Sequence, residues 1–246
     1  MKVILICIAI GGIASISLHA ESVSEIADRI VFARGGRARM QSIQTEKMSG
    51  RVFSEENEVG SFVMELKRPN KVRLETDLGG TSVTKAYDGK TGWKISSPGQ
   101  LTPQKISEAE TKELIGEADI DGPFLDYDKK GTQIEILGKE MLGPSLVWKL
   151  KASLKDGRVE YYYIESTGYM VLVREEAPEK KEQQSASRQF YRDFRRVDNI
   201  PFPFTIISEA DDSEAPIRLV FDNIELNSPE DDSRFILKTA AAAKGE

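Results

Sequence analysis

Cysteine and histidine each occur once in this 246-residue chain, as Cys7 and His19. Both fall in the first twenty residues, which have the pattern of a secretory leader: Lys2, an apolar run from Val3 to Ile13, then small residues to Ala20. The run is shorter than the roughly 20 apolar residues of a membrane-spanning helix. Cleavage after Ala20 is the preferred reading, although Leu18 suits the third position before the cut poorly. Cleavage after Ser17, with Ser15 and Ser17 as the small pair, is the alternative and would retain His19. Cys7 lies inside the apolar run and not at its end, so it is not a lipidated cysteine. Without the leader the chain keeps neither residue, which excludes a disulfide, a thiolate nucleophile, a Cys/His zinc site and a Ser-His-Asp triad. A secreted domain of about 226 residues must then be held by its core, and that length suffices for one.

Basic charge is also in short supply. The net charge of -6 becomes -7 once Lys2 leaves, with 33 basic against 40 acidic side chains. No basic stretch stands out, so nucleic-acid binding is not expected. These features predict a protein soluble in the periplasm, or outside the cell where no outer membrane exists.

What is present is strand pattern with two helical interruptions. Ser22 or Ser24 can cap a helix in which Val23, Ile26, Ala27 and Ile30 recur at three- and four-residue spacing. Gly35-Gly36 breaks it, and 38–43 reads as a second helical turn. From Thr45 the period is two: Phe62, Met64 and Leu66, then Val72, Leu74 and Thr76, alternate with polar residues around the turn Arg68-Pro69-Asn70-Lys71. Thr81 to Tyr87 is a further strand, and Asp88-Gly89 opens a hairpin to Trp93 and Ile95. An amphipathic helix is predicted from Pro103 to Ala118, carrying Ile106, Ala109, Leu114 and Ile115. Gly122-Pro123 and Gly131 bracket a loop or short helix. A second strand series starts at Leu146 and turns at Asp156-Gly157, Thr167-Gly168 and Asp211-Asp212-Ser213, with a polar loop over 177–187. The division is a leader at 1–20, one domain at 21–238 and a flexible tail at 239–246.

The pattern predicts a mainly β protein, a single curled antiparallel sheet of roughly ten strands, with its helices as a lid over the concave face. Apolar alternation is first of all the mark of a packed core. Two short helices would nevertheless leave part of so much inward surface uncovered, as an apolar cavity. The candidate cavity residues are Met48, Phe62, Met64, Leu74, Trp93, Ile106, Leu114, Trp148, Tyr161, Phe190, Phe202 and Phe204. Phe53 and Phe194 also read as inward-facing.

Several stretches carry a resemblance to a known family. The opening "EIADRIVFARGGRARMQSIQTEKMSGRV" resembles the start of LolA-like outer-membrane lipoprotein-sorting proteins, and "AYDGKTGWKI" is similar to that family's hairpin. "GPFLDYDKKGTQIEILGKEMLG", "VEYYYIESTGYMVLVRE" and "DFRRVDNIPFPFTI" resemble later segments in the same order, so the resemblance spans about residues 21 to 226. It implies a half-open β-barrel under a helical lid whose cavity accepts acyl chains of lipoproteins or other lipids. As partners it implies an inner-membrane donor complex and an outer-membrane acceptor. It also implies a cation reaching from a strand towards the lid, for which Arg51, Arg68 and Arg73 are the candidates.

Other constellations read more simply. Tyr87 to Trp93 is a hairpin before it is a ligand site. Asp119, Asp121, Asp126 and Asp128 invite a calcium reading, but Gly122 and Pro123 break the spacing of a calcium loop. Arg192, Arg195 and Arg196 read as solvated or salt-bridged, and no acidic pair is spaced for glycosidase chemistry. The expectation is therefore a carrier and not an enzyme, without metal or cofactor. The alternative is a lipid-sensing or protein-binding periplasmic scaffold.

Overall fold

A computed structural model describes residues 21–99, 102–177, 187–210 and 215–236. The predicted leader and tail, the turn at 211–213 and most of the predicted polar loop lie outside them.

The first helix, α1 (Val23–Ala33), starts at Ser22, whose hydroxyl accepts from the Glu25 amide while the Glu25 carboxylate accepts from the Ser22 amide. Gly35 and Gly36 take φ of 102° and 86° and bend the chain into α2 (Arg37–Ser42). Six strands then run consecutively outward: β1 (Thr45–Ser54), β2 (Asn57–Lys67), β3 (Lys71–Leu78), β4 (Thr81–Tyr87), β5 (Gly92–Ser97) and β6 (Gln104–Lys105). The chain leaves that edge through α3 (Glu108–Glu117) and α4 (Tyr127–Lys130). It re-enters at the far edge as β7 (Gln133–Leu142) and returns through β8 (Ser145–Ser153), β9 (Val159–Glu165), β10 (Val171–Glu176), β11 (Ser187–Val197), β12 (Ile200–Ala210) and β13 (Ile217–Leu226). Pairing of β13 with β1 joins the two meanders into one antiparallel sheet in the order 6-5-4-3-2-1-13-12-11-10-9-8-7. Strands β6 and β7 remain its edges, so the barrel is half open.

Among the described residues the sheet has thirteen strands, against the roughly ten predicted. The miss is clearest at β7, where Gly138 at φ 129° shifts the register and hides the alternation of Ile134 and Ile136. The third helix is shorter than predicted. Ser107 caps it with Glu110 in a capping box, so the helix begins at Glu108, and Gln104–Lys105 instead pairs with Trp93 and Lys94.

Both helical pieces cover the same face. Ile26, Ile30 and Val31 of α1 and Met40 of α2 pack with Trp148, Leu150 and Ile164 of β8 and β9. Leu114 and Ala118 pack with Met48, Phe62, Leu66, Val72 and Tyr87 of β1–β4 and with Phe202, Phe204, Phe221 and Ile224. The row Ile224, Met48, Met64, Leu74 runs across four strands. Sharp coiling at the centre depends on Gly50: a Cβ there would lie 2.1 Å from the Val220 carbonyl oxygen and 2.9 Å from the Phe62 ring. Its absence lets Phe62 and Phe221 meet edge to face at 5.1 Å.

Candidate functional site

The two core clusters do not meet over the middle of the sheet. Between them lies a cavity of about 650 Å³, roofed by the segment from Ile115 to Thr132 and floored by β9–β12. Phe124, Leu154, Met170, Val171, Phe194, Pro201, Phe202 and Pro203 supply its apolar wall. Asp193 takes φ 53° on β11, which interrupts simple alternation, and both Tyr191 and Phe194 line the cavity although three residues apart.

The opposite end is charged. Arg158, Glu160, Tyr162, Arg174, Tyr191 and, from α3, Glu117 line it. Arg158 holds Asp156 at 2.8 Å and Glu160 at 3.5 Å, and the Tyr162 hydroxyl donates to Glu160. Burial pushes the Tyr191 phenol up to about 12, against the opposing pull of Arg174. Burial also raises Tyr162, helped by Glu160, so both phenols stay protonated. Desolvation pulls the Arg174 guanidinium down, but the Glu117 and Glu160 carboxylates pull the other way, and the group stays charged.

The roof is pinned from below. Arg68, at the end of β2, donates to the Ile43 carbonyl at 2.5 Å and the Met40 carbonyl at 3.1 Å. It also forks onto Asp121 at 2.8 and 2.6 Å. Of the three cations considered, Arg68 is thus the one that reaches the cover. Arg51 pairs with Asp222 at 3.0 Å and Arg73 with Glu75 at 2.5 Å. Three of the four aspartates that invite a calcium reading hold cations instead: Asp119 holds Lys130, Asp121 holds Arg68, and Asp126 holds Arg37 and Lys129. Glu110 of α3 bonds Lys94 at 3.0 Å, which with the Ser107 contacts lowers it to about 2.

Of the twelve candidate cavity residues, Phe202 alone lines this cavity. Met48, Phe62, Ile106, Leu114 and Phe204 are buried in the core beside it, with Met64 and Leu74 packed against them, and Trp148 is buried beneath α1. Trp93, Tyr161 and Phe190 lie on the other face. The Trp93 indole donates at 2.8 Å to the carbonyl of the fully buried Phe235, in the C-terminal segment. Tyr161 and Phe190 pack around Tyr163 and Val173. Three consecutive tyrosines carry no phase, so the sequence cannot say that Tyr162 faces inward and Tyr161 outward. The inward charges Arg158, Glu160 and Arg174 were missed for a related reason: strand alternation assigns charge to the wet face by default. Their only trace is the density of charge in 156–160 and 174–176.

No protein-family model matches the sequence, and no curated protein matches it significantly. Solved structures do match. A DUF1329 family protein from Desulfovibrio piger aligns over 91% of this chain and 99% of its own, with a TM-score of 0.61 at 12% identity. A putative outer membrane lipoprotein-sorting protein domain from Vibrio parahaemolyticus aligns over 86% and 97%, with a TM-score of 0.59 at 12% identity. A LolA superfamily protein from Nitrosomonas europaea aligns over 87% and 96%, with a TM-score of 0.58 at 14% identity. The half-open, helix-covered sheet of this chain is the LolA-like fold.

Proposed function

We propose that the protein is a periplasmic carrier that holds acyl chains of lipids or lipoproteins between its sheet and its helical cover. The observation that carries this reading is the apolar-walled cavity of about 650 Å³ on the covered face, within the 300–1,000 Å³ range of ligand sites. Each methylene moved from water into such a wall contributes about 0.8 kcal/mol, so burial alone supplies affinity and no catalytic step is needed. An apolar cargo needs an entrance that closes behind it, and the segment pinned by Arg68 is placed to act as that cover. The LolA-like fold supports the reading, because one structure that shares it is described as a lipoprotein-sorting domain.

The test is native mass spectrometry and lipid extraction of protein purified from the periplasm, alongside binding of a fluorescent acyl probe. Co-purified acylated species and saturable probe binding are expected. Absence of both overturns the proposal.

A further inference from the structure

We infer that the cavity selects an acyl amphiphile with an anionic head, a carboxylate or a phosphate, held by the Arg174 guanidinium while the chain lies along the Phe194–Phe202 wall. This rests on the carrier reading and narrows its cargo, because a neutral ester or amide head would leave the guanidinium unmatched.

Arg174 stands on β10 between Tyr162 of β9 and Gln189 of β11, on the covered face. A guanidinium carries five N–H donors. Among the described residues the Arg174 side chain makes no hydrogen bond, and its one carboxylate partner, Glu117 Oε1, stands 3.7 Å away. That distance is beyond hydrogen-bond length. The side chain keeps 19% exposure and lines the cavity. A partly buried guanidinium with unfilled donors is costly, whereas an oxyanion with two oxygens matches its fork.

Neighbouring charges sharpen the assignment. Lys130 is held by Asp119 at 2.7 Å and Arg158 by Asp156 at 2.8 Å. Arg34, also on the wall, spends its donors on the backbone carbonyls of Asp121 at 3.0 Å and Ile120 at 3.3 Å. Among the described residues, the lining cations without a carboxylate at hydrogen-bond distance are therefore Arg174, Arg34 and Lys155, and of these Arg174 alone stands on a strand of the floor, beside Tyr162. Tyr191, kept protonated by burial, adds no competing negative charge. From Tyr191 to Phe194 the strand advances about 10 Å, so the cationic end and the apolar wall are separated along one axis, as a head and a chain are.

The test is displacement of a fluorescent acyl probe by hexadecanoate, hexadecyl phosphate and hexadecanol, which share one chain. Either anion should displace the probe from the wild-type protein at least about tenfold better than the alcohol does. The ranking of the two anions distinguishes a fatty-acid head from a phospholipid head. Arg174→Gln should bring both anions to the level of the alcohol and leave the alcohol unchanged. Glu117→Gln, which removes the competing carboxylate, should tighten the anions a few-fold and not the alcohol. Equal displacement by all three in the wild type, or equal weakening of all three by Arg174→Gln in protein with native circular dichroism, overturns the anionic-head inference and leaves the carrier reading standing. No probe binding and no displacement by any of the three would overturn both.

Discussion

Glu46 is a carboxyl that the fold places at a cost. It is 5% exposed on β1, and its Oε1 has no hydrogen-bond partner. Burial lifts it from an ordinary 4.5 to about 7, against the pull of Arg34 and Arg68. The folded protein thus keeps a proton that the unfolded chain releases near 4.5, so stability falls as pH rises from 4.5 to about 7. Glu46→Gln should flatten that slope and leave the variant more stable above pH 7, by up to about 3 kcal/mol in urea titrations. Gly50 is the converse, a residue whose missing side chain is what matters. Gly50→Ala forces a Cβ against the Val220 carbonyl and the Phe62 ring, and should cost about 1–3 kcal/mol in the same assay. Neither effect is legible in the sequence. Glu46 reads as an ordinary polar strand residue, and Gly50 acquires its meaning from β13, roughly 170 residues along the chain.

Among the elements, the helical cover is held by few, identifiable contacts. Arg68→Ala would strand the Met40 and Ile43 carbonyls and the Asp121 carboxylate. It should destabilise by about 2 kcal/mol and speed proteolysis within 115–132, with Arg68→Lys recovering only part because it lacks the fork. The third helix depends on its first turn. Ser107→Ala removes the cap and should cost about 1 kcal/mol, read by amide exchange in α3. Glu110 works in the depressed direction: its contribution is present above pH 4.5 and is lost as pH falls towards 2, so exchange in α3 should rise over that window. Helix α1 was legible from its Ser22 cap and apolar spacing, and the Gly35-Gly36 break from its glycines. The start of α3 was misread because a proline at 103 competes with a capping box at 107, and the box satisfies two amides.

For the whole molecule, the proposed carrier function depends on the gap the two clusters leave unfilled. Val171 lines that gap, and Val171→Trp would fill part of it. The variant should lose most acyl-probe binding while keeping its unfolding free energy within about 1 kcal/mol of wild type, because the added ring enters empty space. Loss of stability together with unchanged binding would place the ligand elsewhere.

The sequence by itself determined the class of molecule: alternation made a half-buried antiparallel sheet, glycines and caps delimited the helices, and the absence of cysteine and histidine beyond residue 19 removed whole chemistries. Local periodicity suffices for that, since it reports which side of each strand avoids water. The tertiary structure decided which apolar residues are core and which line a cavity, and it moved Trp93, Tyr161 and Phe190 to the opposite face. It also brought Glu117 of α3 towards Arg174 of β10 and joined the two meanders into one sheet by pairing β1 with β13. Those outcomes depend on register and on contacts between distant strands, and a one-residue change of register exchanges the two faces of a strand.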